Sequence, residues 1–167
     1  MANYMKMHFV MFVLLLICIH ETKLAISFND LTNVAYGKLA IQSSEYPTRK
    51  YPASKAVNGI LTDFAHTDEE KTPWLRIDLG RNYKIHEIEV IARSNCCADQ
   101  LHDLDIKVGK SVHDMYLCGH YTGTPKVVGQ RIAVWCPSDT VGRYVQIQII
   151  MGWKNVLSAA EIIVWGR

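Results

Sequence analysis

The chain has 167 residues, with 18 Lys and Arg against 16 Asp and Glu and a net charge of +2. That near-balance excludes nucleic-acid recognition, which calls for clustered lysine and arginine. There is also no Asn-x-Ser/Thr sequon to carry an N-glycan. The first element in chain order is Lys6 followed by the uncharged apolar run Phe9 to Ile19. Eleven residues are too few to span a bilayer, which takes roughly 20, but they suit the apolar stretch of a signal peptide. Ala25-Ile26-Ser27 offers small residues for cleavage before Phe28. We therefore expect a signal peptide over residues 1–27 and one secreted, extracellular domain over residues 28–167. That length is enough chain to bury a core.

The remaining elements read as strands. Trp74-Leu75-Arg76-Ile77-Asp78-Leu79 alternates apolar and polar until Gly80-Arg81-Asn82, which predicts a break. Ile85 to Val90 and Leu104 to Val108 alternate again. Further strands are predicted at Met115 to Tyr121, Ile132 to Cys136, Tyr144 to Ile150 and Ala160 to Trp165. Turn-like Gly, Pro, Ser and Asp residues punctuate them, and no amphipathic helix competes. The fold class is all-β, a single sandwich. Sandwich loops gather at the two ends, which suits binding at one end of a rigid scaffold.

The cysteines sharpen that expectation. Cys18 falls in the N-terminal segment, leaving Cys96, Cys97, Cys118 and Cys136 and three possible connectivities. Bridging Cys96 to Cys97 and Cys118 to Cys136 is simplest, because strand neighbours point to opposite faces and would otherwise need partners on both. Crossed pairs and free thiols stay open. A vicinal bridge spans Cα atoms about 3.8 Å apart, closer than disulfides usually span, and such strain clusters at ligand clamps. With Arg93 just before it and His66 upstream, the sulfur patch makes a platform for a sugar.

Several motifs in order then carry a resemblance. Asn33-Val34-Ala35-Tyr36-Gly37-Lys38, Gln42-Ser43-Ser44, Ala53 to Gly59 (ASKAVNG) and Pro73 to Gly80 (PWLRIDLG) resemble the F-type lectins, the fucose-binding fucolectin family. The likeness runs from about Asn33 to Gly166. It implies a jelly-roll β-sandwich related to discoidin-like domains. It also implies a sugar site at His66, Arg93, Gln100, Cys96 and Cys97, with the vicinal disulfide packing on the sugar ring. Asn95 and Gln100 stand where the family motif has Asp and a basic residue. Two neutral amides thus replace an ion pair and preserve the local charge. The loss of one charge-assisted hydrogen bond is worth roughly 1.5–3 kcal/mol, about 10- to 100-fold in affinity.

The resemblance further implies a bound calcium ion, Ca2+, with ligands at Lys55, Asn58, Ile60, Asp63, Ala160 and Glu161, several through main-chain carbonyls. Calcium takes six to eight oxygens; here Asp63 and Glu161 bring carboxylates and Asn58 an amide. A family disulfide is absent, with Phe64 and Ala160 at its two positions, and a large residue opposite a small one refills that volume. The implied partners are fucosylated or related glycans on glycoproteins or cell-surface polysaccharide, in innate recognition, rather than membrane lipid. Homo-oligomerisation is left open. No nucleophile elbow, zinc motif or phosphate loop occurs, and His86, His102, His113 and His120 lack metal-ligand spacing, so no enzyme is expected. Two other readings suit the same scaffold: a discoidin-like lipid- or protein-binding module, and a lectin scaffold that has lost its sugar.

Overall fold

The computed structural model describes residues 30–167; the expected signal peptide, with Cys18, lies outside them. Ten strands run in chain order: β1 (Thr32–Asn33), β2 (Leu39–Gln42), β3 (Ala65–His66), β4 (Trp74–Ile91), β5 (Leu104–Ser111), β6 (Asp114–Tyr121), β7 (Arg131–Trp135), β8 (Val141–Ile149), β9 (Ser158–Ala159) and β10 (Glu161–Gly166). Two short 3₁₀ turns, Ala53–Val57 and Ala98–Gln100, are the only helical segments among the described residues.

Every pairing is antiparallel. One layer has the order β2–β4–β8–β5–β6, and the other has β1–β10–β4–β7. The expected sandwich is therefore the observed one, and β4 belongs to both of its layers. This corrects one expectation. Gly80-Arg81-Asn82 does not end a strand; it bends a single 18-residue strand from one layer into the other. The register against β8 shifts between Asp78 and Tyr83. Gly80 takes φ +88 there, a left-handed conformation that side chains disfavour, and its N–H donates to Asp78 Oδ1 at 2.8 Å.

Leu75, Ile77 and Leu79 point inward before the bend and Ile85 after it on the same parity, while Ile88 and Val90 point inward on the other, past a second register shift where Glu87 faces Trp165 and Ile85 faces Gly166. Leu104, Ile106 and Val108 of β5, Val145 and Ile147 of β8, and Ile162 and Val164 of β10 complete one continuous core. Regular alternation in the sequence fills it with branched aliphatic side chains, which pack at crystal-like density.

The sulfurs pair as Cys96–Cys97 and Cys118–Cys136. The second bridge joins β6, at the edge of one layer, to the residue after β7, at the edge of the other. It closes a loop of 18 positions across the two layers. Closing a loop of that length restricts the unfolded chain by ~3 kcal/mol. Replacing Cys118 and Cys136 together by alanine is expected to lower unfolding free energy by about 2–3 kcal/mol with an unchanged far-ultraviolet spectrum, read from denaturant titration.

Candidate functional site

One end of the sandwich gathers β3, the chain leaving β4, and the 3₁₀ turn Ala98–Gln100. β3 pairs with β9 through Ala65↔Ala159 and His66↔Ser158. The main chain at His66 is clamped further: its N–H donates to Tyr51 O at 3.0 Å, and its carbonyl accepts from Gln42 Nε2 at 3.0 Å. His66 is 7% exposed. Its Nδ1 lies 2.6 Å from the Thr67 carbonyl, which accepts only if Nδ1 carries the proton. Burial pushes the imidazole below the ordinary histidine range, and the Arg93 guanidinium adds to that. The neutral ring so fixed leaves Nε2 as an acceptor.

Arg93 is held on every side. Its guanidinium lies 3.8 Å from the centre of the Phe64 ring, and Phe64 stacks on Tyr51 at 4.6 Å. Arg93 Nε donates to Asn95 Oδ1 at 3.1 Å and Nη1 to Gln100 Oε1 at 3.2 Å. Asn95 Oδ1 also accepts from the Cys96 N–H at 3.0 Å. Cys97 adopts a left-handed backbone with φ 56, and its carbonyl accepts from Gln100 N at 3.1 Å. Arg93, Asn95, Cys96, Cys97 and Gln100 thus form one connected loop. His66 joins it through Phe64, with ring centres 6.3 Å apart.

Sequence reasoning missed the aromatic wall. Tyr46 meets His66 edge-on at 4.7 Å and Tyr51 at 5.6 Å. Tyr51 and Phe64 then carry Arg93. A signal was available: two tyrosines in the short segment 46–51, and Phe64 two residues before His66 on the same strand face. The arrangement offers an imidazole acceptor, guanidinium N–H groups beyond the two already used, the Gln100 amide, and an apolar disulfide. Those groups complement a small polyol that also has an apolar edge.

The residues expected to hold calcium form a second cluster. Lys55 Nζ pairs with Asp63 Oδ1 at 2.7 Å, and Asn58 Nδ2 reaches Asp63 Oδ2 at 3.4 Å. Asn58 Oδ1 accepts from Ile60 N at 2.8 Å, which tightens the loop. Glu161 is 2% exposed and accepts from Gly59 N at 3.1 Å through Oε2. Ala160, fully buried beside it, donates its N–H to Ile91 O at 2.8 Å. Glu161 Oε1 is buried with no hydrogen-bond partner, and burial pushes this carboxyl above the usual carboxylate range. Among the described residues no three His, Cys, Asp or Glu side chains gather within reach of one metal ion; Asp63 Oδ1 is taken by Lys55 Nζ and the Ile60 carbonyl by Asp63 N, so Glu161 Oε1 is the unpartnered oxygen this cluster offers a hard cation. Phe64, at one position of the absent disulfide, carries the Arg93 guanidinium on its ring.

Comparison with known proteins gives the fold a family. The model of the family described as NedA-like, galactose-binding domain matches residues 55–147, more than half of the chain. A pentraxin fusion protein of Xenopus laevis is 28% identical over 85 residues, covering 47% of this chain and 20% of that protein. A fucolectin of Anguilla anguilla is 26% identical over 129 residues, covering 68% of this chain and 78% of that one. Among solved structures, an F-lectin (fucolectin) from Morone saxatilis (striped bass) serum superposes with TM-score 0.74 at 28% identity. That match takes in 82% of this chain but 49% of the bass chain, so this chain spans about half of that relative and a fifth of the frog protein. With its two-layer sandwich and the match over residues 55–147, the chain belongs to the F5/F8 type C family of NedA-like, galactose-binding domains and has the F-type lectin, discoidin-like fold.

Proposed function

We propose that this chain is a secreted lectin that binds fucose-type sugars on glycans at the His66–Arg93–Gln100 end of the sandwich. The observation that carries this reading is the buried Arg93 guanidinium. It is oriented by two neutral amides and an aromatic face, and Asn95, one of those amides, also accepts from the N–H of Cys96 in the Cys96–Cys97 bridge. The fucolectin likenesses support the sugar class. In this reading a hydroxyl donates to His66 Nε2, while Arg93 and Gln100 donate to hydroxyl or ring oxygens. The apolar edge of the sugar packs on the disulfide. No bond is made or broken, so affinity rests on a few donors that must offset the cost of immobilising the sugar.

Calcium completes the proposal. Glu161 and Asp63, the Asn58 amide and main-chain carbonyls at Lys55, Ile60 and Ala160 would hold it. The ion would neutralise the carboxylates and tie the loop 55–63 to β10.

Three outcomes test the reading. Calorimetry with fucose is expected to give weak binding that Arg93→Ala reduces by about 10- to 100-fold, the worth of a charge-assisted hydrogen bond. Asn95→Asp with Gln100→Arg is expected to strengthen it by about the same factor. If Arg93→Ala changes nothing and the double variant binds no better, the scaffold has lost its sugar.

Saturating calcium is expected to raise the melting temperature, because a ligand bound only by the folded state stabilises it by mass action. Glu161→Gln is expected to erase that shift.

Acidification is expected to weaken fucose binding. The folded His66 lies below its unfolded pKa, so its neutral acceptor form is complete above the ordinary histidine range and is lost as pH falls through the lowered folded value. His86 is pushed down as well, by burial and by Arg167 and Lys84, so its protonation also affects stability in this range. Affinity rather than melting is therefore the readout. His66→Gln keeps an acceptor and is expected to flatten the dependence as pH falls below the ordinary histidine range.

A further inference from the structure

The outer face of the layer β1–β10–β4–β7 carries a row of side chains that the sugar end does not use. Glu87 of β4 stands opposite Trp135 of β7 on one side and Trp165 of β10 on the other. Neighbouring strands lie about 4.8 Å apart, so the two tryptophans start from positions about 10 Å apart with the carboxylate between them. All three point away from the core, because Ile88, Val134 and Val164 beside them in the chain point into it. β7 ends the layer, and its Trp135 is 65% exposed.

Charge on this face is unevenly settled. Glu89, two positions along the same strand, has both oxygens taken: Trp165 Nε1 donates to Oε1 at 2.8 Å, and Arg131 Nη1 donates to Oε2. Arg131 is thereby committed. The Glu87 carboxylate takes no hydrogen bond among the described residues, and burial together with the nearby Glu89 pushes it above the usual carboxylate range. The chain's other two tryptophans each have a cation of their own, Arg76 over Trp74 at 4.6 Å and Lys71 over Trp153 at 4.4 Å. Trp135 and Trp165 have none among the described residues. The row therefore lacks one positive group that its carboxylate and its two indoles would all attract.

We infer that this face docks a basic segment of a partner protein, seating an arginine guanidinium on Glu87 between Trp135 and Trp165. A sheet face on which Arg131, Ala133 and Trp135 are all exposed does not enclose a small ligand, which needs a concave site. A protein surface closes it from outside. Contacts between proteins concentrate their energy on tryptophan and arginine anchors, and both are supplied here, one from each side. Guanidinium suits the row better than ammonium: its planar fork meets both oxygens of a carboxylate, and its faces stack on indole. None of these residues belongs to the sugar end, so the docking face stands or falls apart from the lectin reading.

The test follows the four indole N–H signals by proton NMR, each assigned by replacing its tryptophan with phenylalanine. The probe is the peptide acetyl-Gly-Arg-Gly-Arg-Gly-amide, compared with its lysine counterpart and with its citrulline counterpart, which keeps the shape and loses the charge. The arginine peptide is expected to move the signals of Trp135 and Trp165 and to leave those of Trp74 and Trp153 in place. The lysine peptide is expected to bind more weakly, and the citrulline peptide to move none of them. Glu87→Gln, which keeps the side-chain shape, is expected to weaken the arginine peptide about tenfold, the scale of one charge-assisted hydrogen bond. Trp135→Ala is expected to weaken it as well, read at Trp165, with an unchanged melting temperature as the control for folding in both variants. If the arginine peptide moves neither signal at millimolar concentration, if either counterpart binds as tightly, or if folded Glu87→Gln binds like the parent, the docking face is overturned. Signals that move with protein concentration alone overturn it too, in favour of a contact between copies of this chain.

Discussion

The passage of β4 from one layer of the sandwich to the other is the constraint on which the remaining structure depends. A single strand contributes Leu75, Ile77 and Leu79 to the core from one sheet, and Ile88 and Val90 from the other. Neither layer can shift without carrying its neighbour. The strand also sets where the chemistry sits. It ends at Ile91, two positions before Arg93, and the Arg93 carbonyl is fixed at once by Gly129 N at 2.8 Å. The guanidinium therefore starts from a backbone held by the end of the strand and by a hydrogen bond at its own carbonyl. Positioning of that kind reduces the ordering cost that a small ligand must overcome.

How Arg93 is held bears on what it offers. A buried cation without partners costs far more than a hydrogen bond returns, and a paired carboxylate would relieve the cost by cancelling the charge. Here the relief comes from two amide oxygens and the face of Phe64, none of which carries charge. The guanidinium is solvated by the protein yet keeps its full positive charge at the floor of the proposed pocket. Hydrogen bonds from it to a neutral hydroxyl are then charge-assisted. Asn95 adds a second effect, because its oxygen also accepts from Cys96 N. One side chain thus orients both the cation and the start of the disulfide patch.

Much of this was legible in the sequence, for identifiable reasons. Alternation at Trp74–Leu79, Ile85–Val90 and Leu104–Val108 reports burial on one face, so those strands and the all-β class could be read directly. The pairing of the cysteines was the simplest of three connectivities rather than a fixed one, and the observed Cys96–Cys97 bridge sits in a loop with Cys97 left-handed, not in a strand. Gly80-Arg81-Asn82 misled because a bulge and a turn use the same residues; only the partner strands show that the ladder continues through it. His66, Arg93 and Gln100 were visible through a family resemblance and stand at one loop end. The wall of Tyr46, Tyr51 and Phe64 was not visible, since its members come from irregular segments with no period to expose them. The side-chain pairing of Lys55 with Asp63 was hidden for the same reason.

The absent disulfide at Phe64 and Ala160 shows how the loop end stays closed without a covalent tie. A disulfide there would have joined the loop before His66 to the last strand. The chain makes that junction twice with weaker means: the ladder of Ala65 with Ala159, and the hydrogen bond from Gly59 N to Glu161. The ladder carries no electrostatic cost. Glu161 does, because one of its oxygens is satisfied and the other is buried without a partner. A carboxylate in that state destabilises the closed loop unless a proton or a cation joins it. The buried Oε1 is therefore the costly point of that junction. Freed from the covalent role, position 64 carries the aromatic ring on which Arg93 rests.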